Sequence, residues 1–148
     1  MSVLVDTNIL LRRTQPGHPH HEFAVGSVER LLASGEPVHF SPQNIAEFWS
    51  VATRPAERNG LGFTSVIVQA EVKKIEEALE MLADIPAIYE EWKRLVVGHG
   101  VRGVQVHDAR LVAVMNVHRV TRLLTFNAAD FVRYPIEVLQ PAAVSSGP

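Results

Sequence analysis

Four acidic residues stand where the chain could place a reactive site. Asp6 and Asp130 each follow a short apolar run of the kind that forms a buried strand, and Glu47 and Asp108 lie on segments with helical periodicity. The four are 41, 61 and 22 residues apart, so no local motif joins them. Carboxylates that meet in one site repel one another unless a cation holds them, and all-oxygen ligands select Mg²⁺ or Mn²⁺. Such an ion can activate water against a phosphodiester.

The acids that follow the strands also have a local structural interpretation. Asp6 either caps the short helix predicted from Asn8 or belongs to a site at the end of its strand. Asp130 and the nearby Asn127 are typical of a turn or of a cap for a short helix. Position along the chain alone therefore does not assign chemistry to these residues.

The two helical acids differ in their surroundings. Glu47 shares a polar face opposite an apolar stripe, and this periodicity favours a solvated side chain over a functional one; the face consists of Gln43, Glu47, Ser50 and Arg54. Asp108 begins a helix that is apolar almost all round, which indicates a buried helix. A buried carboxylate is costly unless it is paired, hydrogen-bonded or metal-bound, although its place in the first turn also suits the helix dipole. The pattern favours a functional role for Asp108.

Short apolar runs alternate with helical segments along the whole chain. The predicted strands are 3–5, 38–40, 81–85, 122–126 and 136–139. The helix after the second strand begins at an N-cap, Ser41, followed by Pro42, and Thr64 caps the next helix. This alternation predicts an α/β domain with a mostly parallel sheet and with sites beyond the carboxyl ends of the strands. We expect one domain over residues 1–140 and a frayed tail over residues 141–148.

Composition excludes several classes of site and of protein. The chain has 148 residues, 47% of them hydrophobic and 20% charged, and no cysteine. A disulfide scaffold, a thiolate metal site and a cysteine nucleophile are therefore excluded. The first residues do not resemble a secretory signal, and no apolar run is long enough to span a membrane. We expect a cytoplasmic protein without a membrane segment.

The net charge of −2 hides an uneven distribution. Residues 57–91 carry eight acids and three bases, whereas residues 92–134 carry seven bases and two acids. A basic stretch is either a solvated surface or the footprint of a phosphate backbone. The only two acids in the basic stretch are Asp108 and Asp130.

Four segments together resemble the PIN-domain nucleases, and most closely the VapC-type toxins of type II toxin–antitoxin pairs. In chain order the segments are VDTNIL (5–10), NIAEF (44–48), VHDARL (106–111) and LTFNAADF (124–131). The resemblance covers nearly the whole chain, from Val3 to about Leu139. It implies a single domain with a five-stranded, mostly parallel sheet and helices on both faces.

The resemblance also implies an activity and a set of site residues. The activity is Mg²⁺- or Mn²⁺-dependent hydrolysis of RNA that leaves a 5′-phosphate and a 3′-hydroxyl. Asp6 and Asp108 would bind the metal directly, and Glu47 would bind it directly or through water and orient the attacking hydroxide. Thr7 and Asn8 would hold Asp6 in place, with Thr125 and Asn127 in support. A cognate antitoxin would cover the groove, and the toxin would form a homodimer.

One position departs from the family pattern. Many PIN domains have an aspartate two residues after the threonine that ends the fourth strand, but this chain has Asn127 there. Asp130 either replaces the missing acid as a fourth catalytic carboxylate or only caps the turn, so a second metal ion is open to question. We expect Arg110 and Arg119, on the helix of Asp108, to hold the RNA backbone or to pair with acids of the antitoxin.

Three alternatives remain at this stage. The acidic pocket could bind a metal or a protein partner without turnover, as a non-catalytic module. A phosphotransferase of the haloacid-dehalogenase type also starts from an aspartate at a strand end, but it needs a second aspartate where this chain has Asn8. A metal could bind the three histidines at positions 18, 20 and 21, which are His18, His20 and His21. Their proline- and glycine-rich surroundings favour an exposed polar loop instead.

Overall fold

A five-stranded sheet with helices on both faces forms the centre of the protein. The computed structural model describes residues 1–147, in which the strands are β1 (Val3–Val5), β2 (Val38–Phe40), β3 (Glu80–Met81), β4 (Arg122–Leu124) and β5 (Glu137–Leu139). The helices are α1 (Thr7–Arg12), α2 (His21–Ala33), α3 (Pro42–Thr53), α4 (Ser65–Ala78), α5 (Ala87–His99), α6 (Gln105–His118) and α7 (Pro141–Ser145). The predicted fold class is confirmed.

All strand pairs are parallel, in the order β3-β2-β1-β4-β5. β1 is therefore central, with Val3 opposite Val38 on one side and Arg122 on the other. All three residues of β1 are fully buried, as expected for a parallel strand that is covered on both faces.

The sheet divides the core into two apolar clusters. Alternate residues of β1 point to opposite faces, so Val3 and Val5 pack with α1 to α4, and Leu4 packs with α5 and α6. Helix α6 contributes a continuous buried run, Leu111–Met115, to the second cluster. The buried helix that the sequence predicts around Asp108 is thus confirmed.

The local start signals are confirmed. Ser41 caps α3 through a reciprocal capping box with Asn44, and the Thr64 hydroxyl accepts the backbone N–H of Ile67 at the start of α4. The third strand is shorter than the predicted 81–85: it begins one residue earlier, at Glu80, and ends at Met81, where its pairing with β2 stops. Pro86 is the N-cap of α5. Within residues 1–147, no helix has the length and apolar character needed to cross a membrane.

The C-terminal residues are ordered, and the frayed tail predicted for 141–148 is wrong for Pro141–Ser145. These residues form α7, which packs on α2, with Pro141 buried and Val144 against the first apolar cluster. Gly26 on α2 makes this approach possible, since a Cβ there would lie 3.3 Å from the Cβ of Ser145. The proline presets the first helical turn, and burial then offsets the cost of ordering the segment. Pro148 lies outside the described residues.

Candidate active site

Asp6 lies between β1 and α1, and it makes hydrogen bonds that extend the sheet and cap the helix. Its backbone N–H donates to Leu124 O at 2.9 Å, which continues the sheet one residue past β1. Its Oδ1 accepts the backbone N–H of Thr7 at 2.7 Å and so caps α1. The side chain is 7% exposed. Asp6 therefore caps the helix as predicted, but the cap uses only one of its two carboxylate oxygens.

The second oxygen of Asp6 is held by one residue that follows β4 and by one residue of α1. The hydroxyl of Thr125 donates to Oδ2 at 2.7 Å, and the amide of Asn8 approaches Oδ2 at 3.4 Å. The same hydroxyl accepts the backbone N–H of Asn127 at 3.0 Å, which directs its own hydrogen toward Asp6. Because β1 and β4 are neighbours in the sheet, residues 119 positions apart meet here.

Glu47 reaches the same edge from α3. Its Oε1 accepts the hydroxyl of Thr7 at 2.7 Å, and that hydroxyl accepts Nδ2 of Asn44 at 3.1 Å. The Oδ1 of Asn44 accepts from Ser41 in the capping box, which identifies Nδ2 as the donor to Thr7. The helix cap thus orients the hydroxyl that holds Glu47. Glu47 is partly buried, so the solvated side chain that periodicity favours is wrong.

Asp108 lies in the first turn of α6 and is half-buried. Gln43 ties this turn to α3, because its Nε2 donates to the carbonyl of His107 at 2.8 Å. Its Oε1 accepts Nη1 of Arg110 at 3.1 Å. Packing of α6 on the sheet and this bridge together bring Asp108 to the cleft that holds Asp6 and Glu47.

The cleft has a volume of about 690 Å³ and opens at the carboxyl ends of β1 and β2. It is lined by Asp6, Thr7, Asn8, Leu11, Gln43, Ala46, Glu47, Ser50, Val51, Arg54, His107, Asp108 and Asn127. Six of the residues that the sequence analysis singles out for the site therefore share one cavity. Thr125, the seventh, is fully buried behind Asp6.

The electrostatics of the cleft oppose ionisation of two of its carboxyls. Burial raises the pKa of Asp6, and the charges of Glu47 and Asp130 raise it further against the hydrogen bonds from Thr125 and Thr7. Burial also raises the pKa of Asp108 to about 7, reinforced by the charges of Asp6, Asp130 and Glu47. Across residues 1–147, no lysine or arginine forms an ion pair with any of these four acids. The positive charge of Arg133 opposes part of the shift at Asp108. The acids of the cleft are therefore clustered without an ion pair to any lysine or arginine of the described residues.

The donor set suits a hard divalent cation, with water among its ligands. In the part of the chain that the structure describes, no three Asp, Glu or His side chains are arranged so that all of them could bind one metal ion. Mg²⁺ in proteins commonly takes one or two carboxylates and keeps several waters. Asp6 and Asp108 both line the cleft, and the charge of Asp6 helps to raise the pKa of Asp108. The Oε2 of Glu47 has one recorded hydrogen-bond contact, from Nε2 of Gln43 at 3.4 Å. The residues fit an ion of this kind.

Asp130 and the two predicted RNA-binding arginines, Arg110 and Arg119, do not line the cleft. Asp130 is exposed on a short 3-10 turn, Ala128–Phe131, and acts on the cleft through its charge without lining it. Arg110 lies beside the cleft, bound to Gln43 and Asp84. Arg119 ends α6, eleven residues or roughly 16 Å along the helix from Asp108. The length of α6 thus separates Arg119 from the acids, and its contact with the RNA backbone stays a prediction.

The cleft is also lined by three residues that the sequence does not assign to the site: Gln43, Ser50 and Arg54. They belong to the polar face of α3 that carries Glu47, so their helical spacing is a signal, but the same spacing predicts a solvated surface. Arg54 is exposed and makes no ion pair within residues 1–147. It is the only lysine or arginine among the lining residues of the described cleft.

The histidine-rich loop packs as an ordered loop. The ring of His20 stacks on Phe126, which follows Thr125, with centroids 4.4 Å apart and planes 9° apart. His21 contacts the carbonyl of Arg12 through Nδ1 at 2.9 Å. His20 is exposed and His18 is partly exposed, and within residues 1–147 these histidines are not part of any group of three His, Asp or Glu side chains that could hold a metal ion.

Comparisons with known proteins identify the family of the chain and agree with its fold. The sequence model of a family described as "PIN domain" matches residues 3–137 of the chain. A comparison with curated protein sequences found no match.

Several solved structures share the fold at low sequence identity. VapBC2 from Rickettsia felis, bound to a DNA fragment from its promoter, is 18% identical, with a TM-score of 0.67 over 95% of this chain and 98% of that one. VapC20 from Mycobacterium tuberculosis, described as a toxin that cleaves the sarcin–ricin loop, is 23% identical, with a TM-score of 0.60 over 82% and 86%. A toxin–antitoxin complex from Klebsiella pneumoniae is 21% identical, with a TM-score of 0.64 over 94% and 97%.

Proposed function

Because this chain belongs to the PIN domain family, we propose that it is a divalent-metal-dependent endoribonuclease and the toxin of a toxin–antitoxin pair. The observation that carries the proposal is the cleft in which Asp6, Glu47 and Asp108 meet without an ion pair to any lysine or arginine within residues 1–147. A fold alone would not require this concentration of charge, which costs stability unless a cation or a substrate-bound cation offsets it.

The structural relatives support the biological role. The Klebsiella structure is a toxin–antitoxin complex, the Rickettsia structure is VapBC2 bound to promoter DNA, and the Mycobacterium protein is described as a toxin that cleaves the sarcin–ricin loop. For the present chain we propose the same kinds of partner: a cognate antitoxin that covers the cleft, an RNA substrate, and a second copy of the chain in a homodimer. The acidic cleft would accept basic groups of the antitoxin in place of the cation and substrate.

The proposed roles rest on the family resemblance and on the place of each acid in the cleft. Asp6 and Asp108 would hold one Mg²⁺ or Mn²⁺ directly, and Glu47 would bind it directly or through water. When bound, the ion would lower the pKa of a water molecule and offset negative charge on the phosphodiester. Glu47, held at Oε1 by Thr7, keeps Oε2 available to accept a proton from the attacking water.

The neutral residues of the site orient the acids and the water. Thr125 and Asn8 hold Asp6, so its carboxylate plane does not rotate when the substrate arrives. Asn127 lines the cleft and can accept a hydrogen bond from water through its side-chain carbonyl without adding charge. Asp130 adds negative potential from outside the cleft and strengthens the attraction for one cation.

Cleavage of cellular RNA by the antitoxin-free protein tests the proposal. We expect discrete products with Mg²⁺ or Mn²⁺, and none with EDTA or with the Asp6→Asn variant. Mapping the product ends then identifies the target and checks for a 5′-phosphate. Folded protein that binds Mn²⁺ but cleaves no RNA would contradict the nuclease and support a non-catalytic binding module.

Arg54 is expected to contact the RNA backbone. Its Arg54→Gln variant should bind single-stranded RNA roughly threefold to tenfold more weakly, because one phosphate contact and its released counterion are lost. The slope of log affinity against log salt should fall by about one. The free energy of unfolding should change little, because the backbone N–H of Gly62 donates to the backbone carbonyl of Arg54, which the substitution retains.

Arg119→Gln is the matched control for Arg54. Both residues are exposed arginines at helix C-caps, but Arg119 lies at the far end of α6. Equal losses of RNA affinity in the two variants would argue for diffuse charge attraction and against a specific contact by Arg54.

A further inference from the structure

A second pocket, of about 340 Å³, adjoins the acidic cleft. It is lined by Ile85, Ile88, Tyr89, Trp92, Val106, His107 and Arg110. His107 lines both cavities, so only the first turn of α6 separates this pocket from Asp108. The roles proposed for the acidic cleft make no use of it.

The walls of the pocket are aromatic and preorganised. The indole N–H of Trp92 donates to the carbonyl of Val106 at 2.8 Å, which holds α5 to α6 and sets the orientation of the ring. Tyr89 lies one turn earlier on α5, with its ring centroid 6.2 Å from that of Trp92, and is 58% exposed. Ile88 is buried and forms part of the apolar lining. A flat apolar group that enters the pocket would therefore meet an exposed tyrosine face beside a fixed tryptophan.

Cationic and polar groups stand between the pocket and the cleft. Arg110 lines the pocket, binds Gln43 through Nη1 at 3.1 Å, and binds Asp84 through Nη2 at 3.2 Å. Gln43 in turn lines the acidic cleft. The arginine is thus held in place by neutral and acidic partners, at the point where a backbone phosphate would pass from one cavity to the other.

We propose that this pocket holds one unpaired nucleobase of the RNA, stacked on Tyr89, while the adjoining backbone enters the acidic cleft. The proposal rests on the proposed ribonuclease function. A planar group with an attached phosphate matches both the aromatic lining and the arginine at the rim. A base within a duplex is already stacked and paired and cannot enter, so the pocket would take only an unpaired base.

RNA binding by Tyr89 variants tests the pocket. The probe is a fluorescently labelled 12-nucleotide single-stranded RNA of mixed sequence, compared with the same sequence as a blunt duplex. All proteins carry Asp108→Asn, so that the probe is not cut during anisotropy titrations with Mg²⁺ present. Tyr89→Ala should weaken single-strand binding about fivefold to 150-fold, the range for loss of one base–aromatic stack. Tyr89→Phe retains the aromatic face and should restore binding to within about twofold.

Val97→Ala is the matched control, because Val97 is an exposed apolar residue on α5 that does not line the pocket. Thermal unfolding checks that each variant is folded. Equal single-strand affinity for Tyr89→Ala and the parent protein would overturn the proposal and favour an apolar side chain of a protein partner as the occupant. Duplex binding as tight as single-strand binding would also overturn it. Tyr89-dependent binding by a protein that never cleaves RNA would support the pocket while the nuclease itself fails.

Discussion

The Asp108→Asn variant is expected to lose RNA cleavage and yet to be more stable than the wild type in metal-free solution at pH 8. Cleavage should fall roughly 100- to 1,000-fold, because a charged group at the reacting centre is replaced by a neutral one. The free energy of unfolding should rise by about 1–2 kcal/mol, a figure discounted because the side chain is only half-buried. RNA cleavage assays and thermal unfolding in EDTA measure the two effects.

The stability gain has a defined dependence on pH. The folded protein raises the pKa of Asp108 to about 7, whereas the same carboxyl in an unfolded chain ionises near its ordinary value of 3.8. Between these values the folded protein binds a proton that the unfolded chain has released. The free energy of unfolding of the wild type therefore falls as pH rises from about 4 to about 7. The advantage of Asp108→Asn should be full above pH 7 and disappear toward pH 4.

Two comparisons make this prediction specific. Asp6→Asn should also be inactive but should not gain stability, because its new amide would face the donors Thr125 and Asn8. Mg²⁺ or Mn²⁺ should raise the unfolding temperature of the wild type and leave that of Asp108→Asn nearly unchanged. An Asp108→Asn protein that unfolds at the wild-type temperature at pH 8 in EDTA would show that the cleft does not destabilise the metal-free protein.

Replacing Thr7 by valine is expected to damage both stability and catalysis. The substitution preserves shape but removes the hydroxyl that donates to Glu47 and accepts from the fully buried Asn44. Leaving the amide of Asn44 without its acceptor should cost about 1–3 kcal/mol and lower the unfolding temperature by several degrees. Release of Glu47 should lower kcat about tenfold to hundredfold with little change in KM. Steady-state cleavage and thermal unfolding test both effects.

Thr7→Ser is the matched control, since it keeps the hydroxyl and loses only a methyl group. It should retain kcat within a few fold and unfold within about 1 kcal/mol of the wild type. If Thr7→Ser and Thr7→Val lose the same activity, the methyl group and not the hydroxyl positions Glu47, and the proposed hydrogen-bond relay fails.

Much of the local structure could be predicted from short-range patterns. The buried run at Val3–Val5, the proline-assisted cap at Ser41 and the apolar helix around Asp108 each depend on a few neighbouring residues. Their alternation also identified a parallel α/β sheet, and with it the edge at which a site should lie. These predictions hold because caps, turns and periodic burial are set within one or two turns of chain.

The residues that hold and surround the acids could not be predicted in this way. Glu47 looked solvated because its helical face is polar, and only the packing of α3 on α1 turns that face toward Asp6. The same packing brings Arg54 into the cleft, whereas the length of α6 removes Arg119 from it. Helical periodicity shows which residues share a face, but it does not show what that face meets.

The sequence by itself thus determined the fold class, the order of the strands and helices along the chain, and the acids that end or follow the strands. Tertiary structure alone decided that Thr7 binds Glu47 and Asn44, and that Thr125 binds Asp6 from 119 residues away. It also decided that the last helix packs on α2 instead of fraying. The physical reason is that hydrogen bonds and burial between distant segments depend on how whole elements pack, and no local pattern contains that information.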